Sequence, residues 1–515
     1  MRRTLVATSL FTLGFALLPP AARAQRPEAP ARDTAGKAEA PAGPKEDSSV
    51  TLHTIRIDGQ LIPYRAMAAT MILKNDSGQP IGSLFYVAYT RTDVRDESRR
   101  PIAFLYNGGP GSSTAWLHMG AFGPERIVTT DAAPTPPPPY QMADNANSLI
   151  DVTDMVFLDP IGTGFSKPVG KGTGKDFWGV DEDARSIDQF ITQYVSRNDR
   201  WNSPKYLIGE SYGTTRSAVL VNRLQSHEGM DFNGVVLMSS VLDFETLEFA
   251  PGHDISYVLY LPSYAAVAAY HHLIPQPASL PVFLDSVRQF AAGPYAEALE
   301  QGSDLPAAQR AQVLAQLSRY TGLSTSYLDQ ANLRVSLGQF RAQLQRASDQ
   351  VTGRLDARFS GPEQDLLGEY APYDPQETAI TGAFTAAINQ YLRDDLKWPG
   401  TERYNVMGNV QWNWKRQGQR GGWQSAPYVG GDLAQALISN PGLRVQVENG
   451  YYDLATPFFA TEYTMNHLGL RPDLRGHIQL KYYDSGHMMY LHEPALAQLK
   501  ANIAQFITST SQPAQ

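Results

Sequence analysis

The chain has 515 residues, a net charge of −8 and 42% hydrophobic residues, enough for a large core and more than one folding unit, such as one big domain with an insertion. Its mild acidity argues against a nucleic-acid partner, which would require a basic face. It contains no cysteine, which excludes disulfides, a lipid-modified cysteine, a thiol nucleophile and a thiolate metal site.

The N-terminus has the organisation of a secretory signal peptide. Two arginines precede an apolar run (residues 5–18) that is too short to span a bilayer comfortably, and Ala22-Arg23-Ala24 supplies a small-x-small cleavage site. We therefore expect residues 1–24 to be a signal peptide and the mature protein to be exported, periplasmic or secreted, without stable membrane insertion. Residues 25–49 are rich in Ala, Pro, Lys and Glu, which predicts a disordered leader.

Residues 50–250 alternate between predicted strands and helices. Alternating polar and apolar residues at 52–57 and 84–89, with residues 64–73 between them, predict an antiparallel meander. An amphipathic helix is predicted over residues 181–195. Four continuously apolar runs predict strands that are buried on both faces: residues 102–106, 155–158, 206–208 and 235–238. This order predicts the first part of an α/β core, with a mostly parallel central sheet and helices on both faces.

Residues 251–400 have a different character, because strand signals are sparse and apolar side chains recur at helical spacing. One such stripe consists of Leu333, Leu337, Phe340 and Leu344. We expect this region to be a helical cap insertion over the carboxyl edge of the sheet. Strand signals return at residues 443–447 and 477–483, and a helix follows at 495–507. Residues 401–515 are therefore expected to complete the core.

A basic, aromatic patch lies at residues 411–423. Nucleic-acid binding is one interpretation, but with a net charge of −8 a contact between cap and core, or a substrate rim, is favoured. No His-Glu-x-x-His or comparable metal-binding constellation is present, so no metal and no cofactor are expected.

A Gly-x-Ser-x-Gly motif at residues 209–213 stands between a predicted strand and a helix-compatible segment, residues 215–225. A sharp turn at this place would hold the Ser211 hydroxyl at the carboxyl edge of the sheet, with the N-terminus of the helix behind it. The motif alone arises often by chance, and a glycine-rich surface turn is the alternative. Its interpretation as a nucleophile therefore depends on partners elsewhere in the chain.

A serine nucleophile needs a base to take its proton and a carboxylate to orient that base. In this sheet architecture both are expected in loops just past strand ends, with the acid before the histidine. Asp453 follows the first late strand and His487 follows the second. Asp432 belongs to a predicted helix, and Asp484 is too close to His487 along the chain. The topology thus pairs Asp453 with His487.

Two backbone N–H groups are needed to stabilise the negative charge that develops during acyl transfer. One is expected from Tyr212, directly after the serine, and the other from Gly109 or its neighbour in the glycine-rich loop 107–111. A phosphate-binding loop is the alternative for residues 107–111, but the Gly-Lys-Ser/Thr ending of such loops is missing.

Five stretches resemble, in this order, the signature sequences of the serine carboxypeptidase family: Asn107-Gly-Gly-Pro-Gly-Ser-Ser113, Asp159-Pro-Ile-Gly-Thr-Gly-Phe-Ser166, Gly209-Glu-Ser-Tyr-Gly213, Gly450-x-x-Asp453-x-x-x-Pro457 and Gly486-His-Met488. The resemblance extends over about residues 52–507 and suggests an exported, bacterial-type member. It implies an α/β-hydrolase fold with Ser211 as nucleophile, His487 as base and Asp453 as its orienting acid. It also implies that Gly109 and Tyr212 form the oxyanion hole. Asn107 and Glu210 would recognise the C-terminal carboxylate of the substrate.

The activity implied by this resemblance is that of a serine-type carboxypeptidase, which releases C-terminal residues from peptides through an acyl-enzyme. Because Glu210 and a substrate carboxylate would have to share a proton, peptide cleavage is predicted to be favoured at acidic pH. Where the family has a second glutamate this chain has Ala121, and Ser112 and Leu105 stand at positions of a family cysteine and tryptophan. An esterase or acyltransferase on the same scaffold therefore stays open, and a non-catalytic interaction protein is the third reading.

Overall fold

The computed structural model describes residues 43–416 and 426–511. The predicted signal peptide, most of the predicted leader and residues 417–423 of the aromatic patch lie outside these ranges. The end of the predicted leader does not behave as a disordered segment, so the prediction is wrong for residues 43–49. The Glu46 carboxylate accepts a hydrogen bond from the Ile72 backbone N–H at 2.9 Å and pairs with Arg197 at 2.8 Å, and the first strand begins at Ser48.

Ten strands of the described residues form one sheet, and two further pairs of short strands lie outside it. The strands are β1 (Ser48–Ile57), β2 (Gln60–Lys74), β3 (Pro80–Arg91), β4 (Ile102–Tyr106), β5 (Glu125–Ile127), β6 (Met142–Asp144), β7 (Asp154–Leu158), β8 (Lys167–Pro168), β9 (Lys205–Glu210), β10 (Gly234–Met238), β11 (Gln350–Thr352), β12 (Ser360–Pro362), β13 (Arg444–Gly450) and β14 (Ile478–Tyr483). The pairs outside the main sheet are β5 with β6 and β11 with β12.

The main sheet has the strand order β1-β2-β3-β7-β4-β9-β10-β13-β14, with β8 paired to β3. Strands β1, β2 and β3 form the predicted antiparallel meander, and β3 also pairs antiparallel with β7. From β7 to β14 all neighbours are parallel. Every residue of β4, β7, β9 and β10 is buried, because helices cover both faces of a parallel sheet. The continuous apolar runs in the sequence reflect this burial.

The helices are α1 (Val180–Arg197), α2 (Tyr212–Glu228), α3 (Ile255–Tyr270), α4 (Leu280–Phe290), α5 (Ala296–Gln301), α6 (Ala307–Thr321), α7 (Thr325–Gln330), α8 (Leu337–Gln343), α9 (Pro375–Asp394), α10 (Gly430–Ser439), α11 (Phe458–Asn466), α12 (Pro472–Arg475) and α13 (Glu493–Thr510), and a π-helix covers Leu117–Phe122. Helices α1, α2 and α10 share an apolar cluster on one face of the sheet. Helices α9 and α13 and the π-helix share the cluster on the other face. Across both described ranges, no helix is long and apolar enough to cross a membrane.

Helices α3 to α8 bury a separate apolar cluster, whose members include Leu261, Leu284, Leu317 and Phe340. One predicted helical stripe in this region is wrong. Leu333 lies before α8 with a φ of 65°, and the helix begins only after Ser336. The Ser336 and Gln339 side chains cap each other's backbone N–H groups, and this capping box starts a new helix where the apolar spacing alone suggested continuity.

Candidate active site

Ser211 lies at the turn between β9 and α2, with φ 59° and ψ −128°. A serine in this strained region is held there by its surroundings. Its backbone N–H donates to the Met238 carbonyl of the neighbouring strand at 2.9 Å. The flanking glycines are required by close approach, because a Cβ at position 209 would lie 2.3 Å from the Gly213 carbonyl oxygen. The Gly-x-Ser-x-Gly motif is therefore the strand-turn-helix that the sequence predicts.

The structure brings together Asp453 and His487, which follow the adjacent parallel strands β13 and β14. His487 Nδ1 lies 2.8 Å from Asp453 Oδ2. The histidine is 3% exposed and the aspartate is fully buried. The His487 backbone is fixed on both sides, since its N–H donates to the Leu355 carbonyl at 2.7 Å and its carbonyl accepts from the Ser239 hydroxyl at 2.7 Å. The imidazole is thus held in one orientation.

Asp453 accepts three hydrogen bonds from its own loop in addition to that of the histidine. The backbone N–H groups of Ala455 and Thr456 donate to Oδ1 at 2.8 and 2.9 Å, and the Thr456 hydroxyl donates to Oδ2 at 2.7 Å. Burial lowers the pKa of His487, but the Asp453 charge and hydrogen bond raise it, and the net shift is upward. The role of Thr456 was missed, although an aspartate followed by backbone donors is typical of a turn.

One cavity of about 250 Å³ is bordered by six of the seven site residues predicted from the sequence. They are Asn107, Gly109, Glu210, Ser211, Tyr212 and His487. Asp453 does not border the cavity but is hydrogen-bonded to Nδ1 of His487. Much of the remaining lining is apolar and comes from four different parts of the chain: Trp116, Val241, Phe244, Ile380 and Met407. The cavity therefore combines a few polar groups with apolar walls, as ligand sites commonly do.

The glycine-rich loop after β4 lies against the start of α2. A Cβ at Gly108 would lie 2.4 Å from the Tyr212 backbone nitrogen, and Gly109 has a φ of 99°. Within the described ranges, the N–H groups of Gly109 and Tyr212 donate to no backbone or side-chain acceptor. These two unused N–H groups, one from the glycine-rich loop and one from the start of α2, could therefore both donate hydrogen bonds to a negatively charged oxygen in the cavity.

Residues 404–416, which we call the strap, hold this loop from outside. Gly408 N–H donates to the Gly111 carbonyl at 2.7 Å, and Ser113 N–H donates to the Val406 carbonyl at 3.0 Å. The Trp412 ring lies edge-on to the Tyr212 ring, with centroids 5.0 Å apart. The described part of the aromatic patch therefore packs on the core beside the site.

Arg216 contacts α1, the glycine-rich loop and the Tyr212 ring. The sequence analysis did not identify it as a site residue. The arginine and Asp183 of α1 form an ion pair of 2.6 Å, and both side chains are almost fully buried. Its Nη1 donates to the Asn107 carbonyl at 2.8 Å, and its guanidinium lies 5.4 Å from the centroid of the Tyr212 ring. The loop, the nucleophile helix and α1 are thus fixed relative to one another by one side chain.

Glu210 and Asn107 lie at the base of the cavity and are 2% and 1% exposed. Burial raises the pKa of Glu210 to about 7, although the His487 charge and hydrogen bonding with Tyr490 and Asn107 lower it in part. Asn107 Oδ1 accepts from the Leu117 N–H at 3.0 Å, so its amide nitrogen is the end that can donate to Glu210 or to a ligand. Tyr490 is a further residue that the sequence did not reveal.

Another buried histidine and the alternative acid Asp432 have partners outside the cavity. His118 is buried and contacts the Tyr89 hydroxyl at 2.6 Å, and burial lowers its pKa to about 3. Asp432 is paired with Arg416 of the strap. Over the described ranges no group of three His, Asp or Glu residues could hold a metal ion.

Comparison with known proteins supports the predicted resemblance. Residues 75–250 match the family model of the serine carboxypeptidases, and this segment includes Asn107, Gly109, Glu210, Ser211 and Tyr212. A stretch of 150 residues, 28% of this chain, is 29% identical to the pheromone-processing carboxypeptidase KEX1 of Saccharomyces cerevisiae. The match covers only 19% of that protein.

The fold is also found in a solved structure. The crystal structure of Kex1(Δ)p, a prohormone-processing carboxypeptidase from Saccharomyces cerevisiae, aligns with a TM-score of 0.52 and 16% identity, over 86% of this chain and 91% of that chain. Together with the mostly parallel sheet, this confirms the predicted α/β-hydrolase fold.

Proposed function

We propose that the protein is a serine-type carboxypeptidase that releases C-terminal residues from peptides, on the premise that residues 75–250 match the serine carboxypeptidase family model. The observation that supports it most is the composition of one cavity. This cavity is bordered by a serine on a strained turn, a histidine paired with a buried aspartate, two free N–H donors and a buried glutamate beside an asparagine.

In the proposed reaction Ser211 Oγ attacks the scissile carbonyl carbon while His487 Nε2 takes its proton. Asp453 holds the proton on His487 Nδ1 and stabilises the imidazolium that forms. The protonated histidine then gives its proton to the leaving amine, and an acyl-enzyme ester remains on Ser211. Water attacks this ester with the same histidine as base, which frees the shortened peptide and restores the serine.

The negative charge on the former carbonyl oxygen is stabilised by the N–H groups of Gly109 and Tyr212. Two observations support this assignment: both residues border the cavity, and within the described ranges neither N–H group donates to another acceptor. Such donors are typically worth a factor of roughly 10²–10³ each in kcat.

Asn107 and Glu210 are proposed to bind the C-terminal carboxylate of the substrate. A glutamate can do so only when it is protonated, because two adjacent carboxylates repel each other. With a pKa of about 7, Glu210 carries this proton at mildly acidic pH without a second carboxyl group next to it. The buried position of Glu210 thus supports the acid preference expected from the sequence.

The N-terminal sequence further supports export, with residues 1–24 as a cleaved signal peptide and the mature protein in the periplasm or secreted, as expected of a bacterial-type member. N-terminal sequencing of the mature protein, expected to begin at Gln25, tests this proposal.

We also propose that residues 251–400 act as a cap, because part of the cavity lining comes from α9 and from Arg354 and Leu355 before it.

The activity is tested by mass spectrometry of a peptide mixture over time, with wild type beside Ser211→Ala. Stepwise loss of C-terminal residues by the wild type alone is the expected result. Ester hydrolysis with peptides left intact would instead favour an esterase or acyltransferase, the alternative raised by Ala121. No Ser211-dependent turnover of peptides or esters would favour a non-catalytic interaction protein.

A further inference from the structure

Tyr490 has a buried hydroxyl that makes no hydrogen bond of ordinary geometry within the described ranges. Its side chain is 3% exposed. Tyr490 lies three residues after His487, the proposed base. Among the other buried polar atoms with this property are two that belong to the same site, Asn107 Nδ2 and Glu210 Oε2. Native structures seldom leave buried polar groups unpaired, so a cluster of three is a sign of a missing partner.

These three groups are neighbours. Tyr490 lies close enough to the Glu210 carboxyl and to the Asn107 side chain for hydrogen bonding to shift the pKa of both the glutamate and the tyrosine. The Asn107 and Glu210 residues also border the cavity beside Ser211. Tyr490 itself does not line the cavity, so its hydroxyl can act on a bound substrate only through the Asn107 and Glu210 side chains.

The tyrosine ring fits in this place because of a glycine in the π-helix at Leu117–Phe122. A Cβ at Gly120 would lie 2.8 Å from Tyr490 Cε2, so the ring packs directly on the glycine backbone. The next residue is Ala121, which is fully buried and stands where the resembling family has its second glutamate. The chain thus lacks a carboxyl group at position 121 and has a phenol next to Glu210 instead.

We propose that Tyr490 is a positioning residue whose hydroxyl orients the Glu210 carboxyl and the Asn107 amide for binding of the C-terminal carboxylate. This inference rests on the proposed function. A carboxylate accepts hydrogen bonds only, and the Asn107 amide and the protonated Glu210 carboxyl are the two donors that border the cavity at this place. Burial raises the pKa of Tyr490 well above 10, so the hydroxyl stays a donor throughout the working pH range. A peptide amide or a simple ester has no carboxylate and gains nothing from this contact.

Tyr490→Phe removes the hydroxyl and keeps the ring that packs on Gly120. Tyr483→Phe is the matched control, because the Tyr483 hydroxyl donates to a buried carboxylate, Glu448, at 2.7 Å, and neither Tyr483 nor Glu448 borders the cavity. We expect Tyr490→Phe to raise KM for a blocked dipeptide roughly tenfold, with kcat much less affected, because the two groups that bind the carboxylate lose a hydrogen bond that orients them. The kinetics of an uncharged ester and the Tm should match those of wild type. The control should change neither KM.

An unchanged peptide KM, or an equal loss on peptide and ester, would overturn the assignment, since the second result indicates a structural role. Binding without turnover separates this inference from the proposed activity. Calorimetry with N-acetylphenylalanine, a free carboxylate, is performed on Ser211→Ala and on Ser211→Ala/Tyr490→Phe. Roughly tenfold weaker binding by the double variant would support the role of Tyr490 even if no peptide is cleaved. Equal affinity, or no binding by either protein, would contradict it.

Discussion

Replacing Glu210 by glutamine tests the link between one buried carboxyl group and the pH dependence of peptide cleavage. Glu210 has a pKa of about 7 because burial disfavours its charge. The protonated form accommodates a substrate carboxylate, and the ionised form repels it. The contribution of Glu210 to peptide binding should therefore be fully present below its pKa and lost as the pH rises through it. Glutamine is neutral at every pH and should abolish this loss.

The size of the effect follows from the pKa. At roughly pH 8.5, about 1.5 units above the pKa, only about 3% of Glu210 keeps its proton, so kcat/KM for peptides should fall roughly thirtyfold. The acidic limb has a different origin, since His487 must be neutral to act as a base. Glu210 is already neutral on this limb, because its pKa is about 7, so the acidic limb should be similar in wild type and Glu210→Gln.

The assay is kcat/KM for a blocked dipeptide between about pH 5 and 9, with an uncharged ester as second substrate. Glu448→Gln is the matched control, because Glu448 is also fully buried with a pKa raised to about 7 but does not border the cavity. The alkaline fall should appear only for the peptide, in wild type and in Glu448→Gln. A wild-type profile that stays flat above pH 7, or the same alkaline fall in Glu210→Gln, would refute the reasoning.

Three other substitutions have definite expected outcomes. Gly108→Ala should lower kcat by roughly 10²–10³, because its Cβ would lie 2.4 Å from the Tyr212 nitrogen; a normal kcat for peptide and ester would argue against this N–H as an oxyanion donor. Arg216→Met leaves Asp183 as a buried, unpaired charge and should cost about 3–5 kcal/mol in urea unfolding, partly recovered by adding Asp183→Asn; a loss below about 1 kcal/mol would contradict it. Because the pKa of Glu448 rises from 4.5 to about 7 on folding, folding stability falls as pH rises between these values, and Glu448→Gln should remove roughly 3 kcal/mol of that fall; unfolding curves at pH 5 and 8 that shift equally in both proteins would disprove it.

The sequence was most informative where the decisive contacts are local or ordered along the chain. The turn at Ser211 combines an apolar strand with glycines that no larger residue could replace, and both signals lie within a few residues. Asp453 and His487 could be paired because adjacent parallel strands place their following loops at the same edge. These features depend on chain order and periodicity, which a single sequence displays.

The residues that were missed acquire their place through distant contacts. Tyr490 matters only because its ring meets Gly120, and Arg216 only because its guanidinium meets Asp183 and the Asn107 carbonyl. No local sequence pattern distinguishes Tyr490 from other tyrosines or Arg216 from other arginines in helices. The Leu333 stripe shows the opposite error, because the apolar spacing predicted one continuous helix. The positive φ of Leu333 interrupts the helical backbone, and α8 starts only after the Ser336 cap.

The strap has a consequence for the order in which this protein becomes functional. Its bonds to Gly111 and Ser113 come from chain that is synthesised long after the glycine-rich loop, with a delay on the order of tens of seconds at usual rates of translation. Asp453 and His487 follow later still. A nascent or truncated chain would therefore carry the serine without its base and the loop without its outer support. Hydrolytic capacity would arise in a single late event, when the C-terminal strands join the sheet, and not gradually as the polypeptide grows.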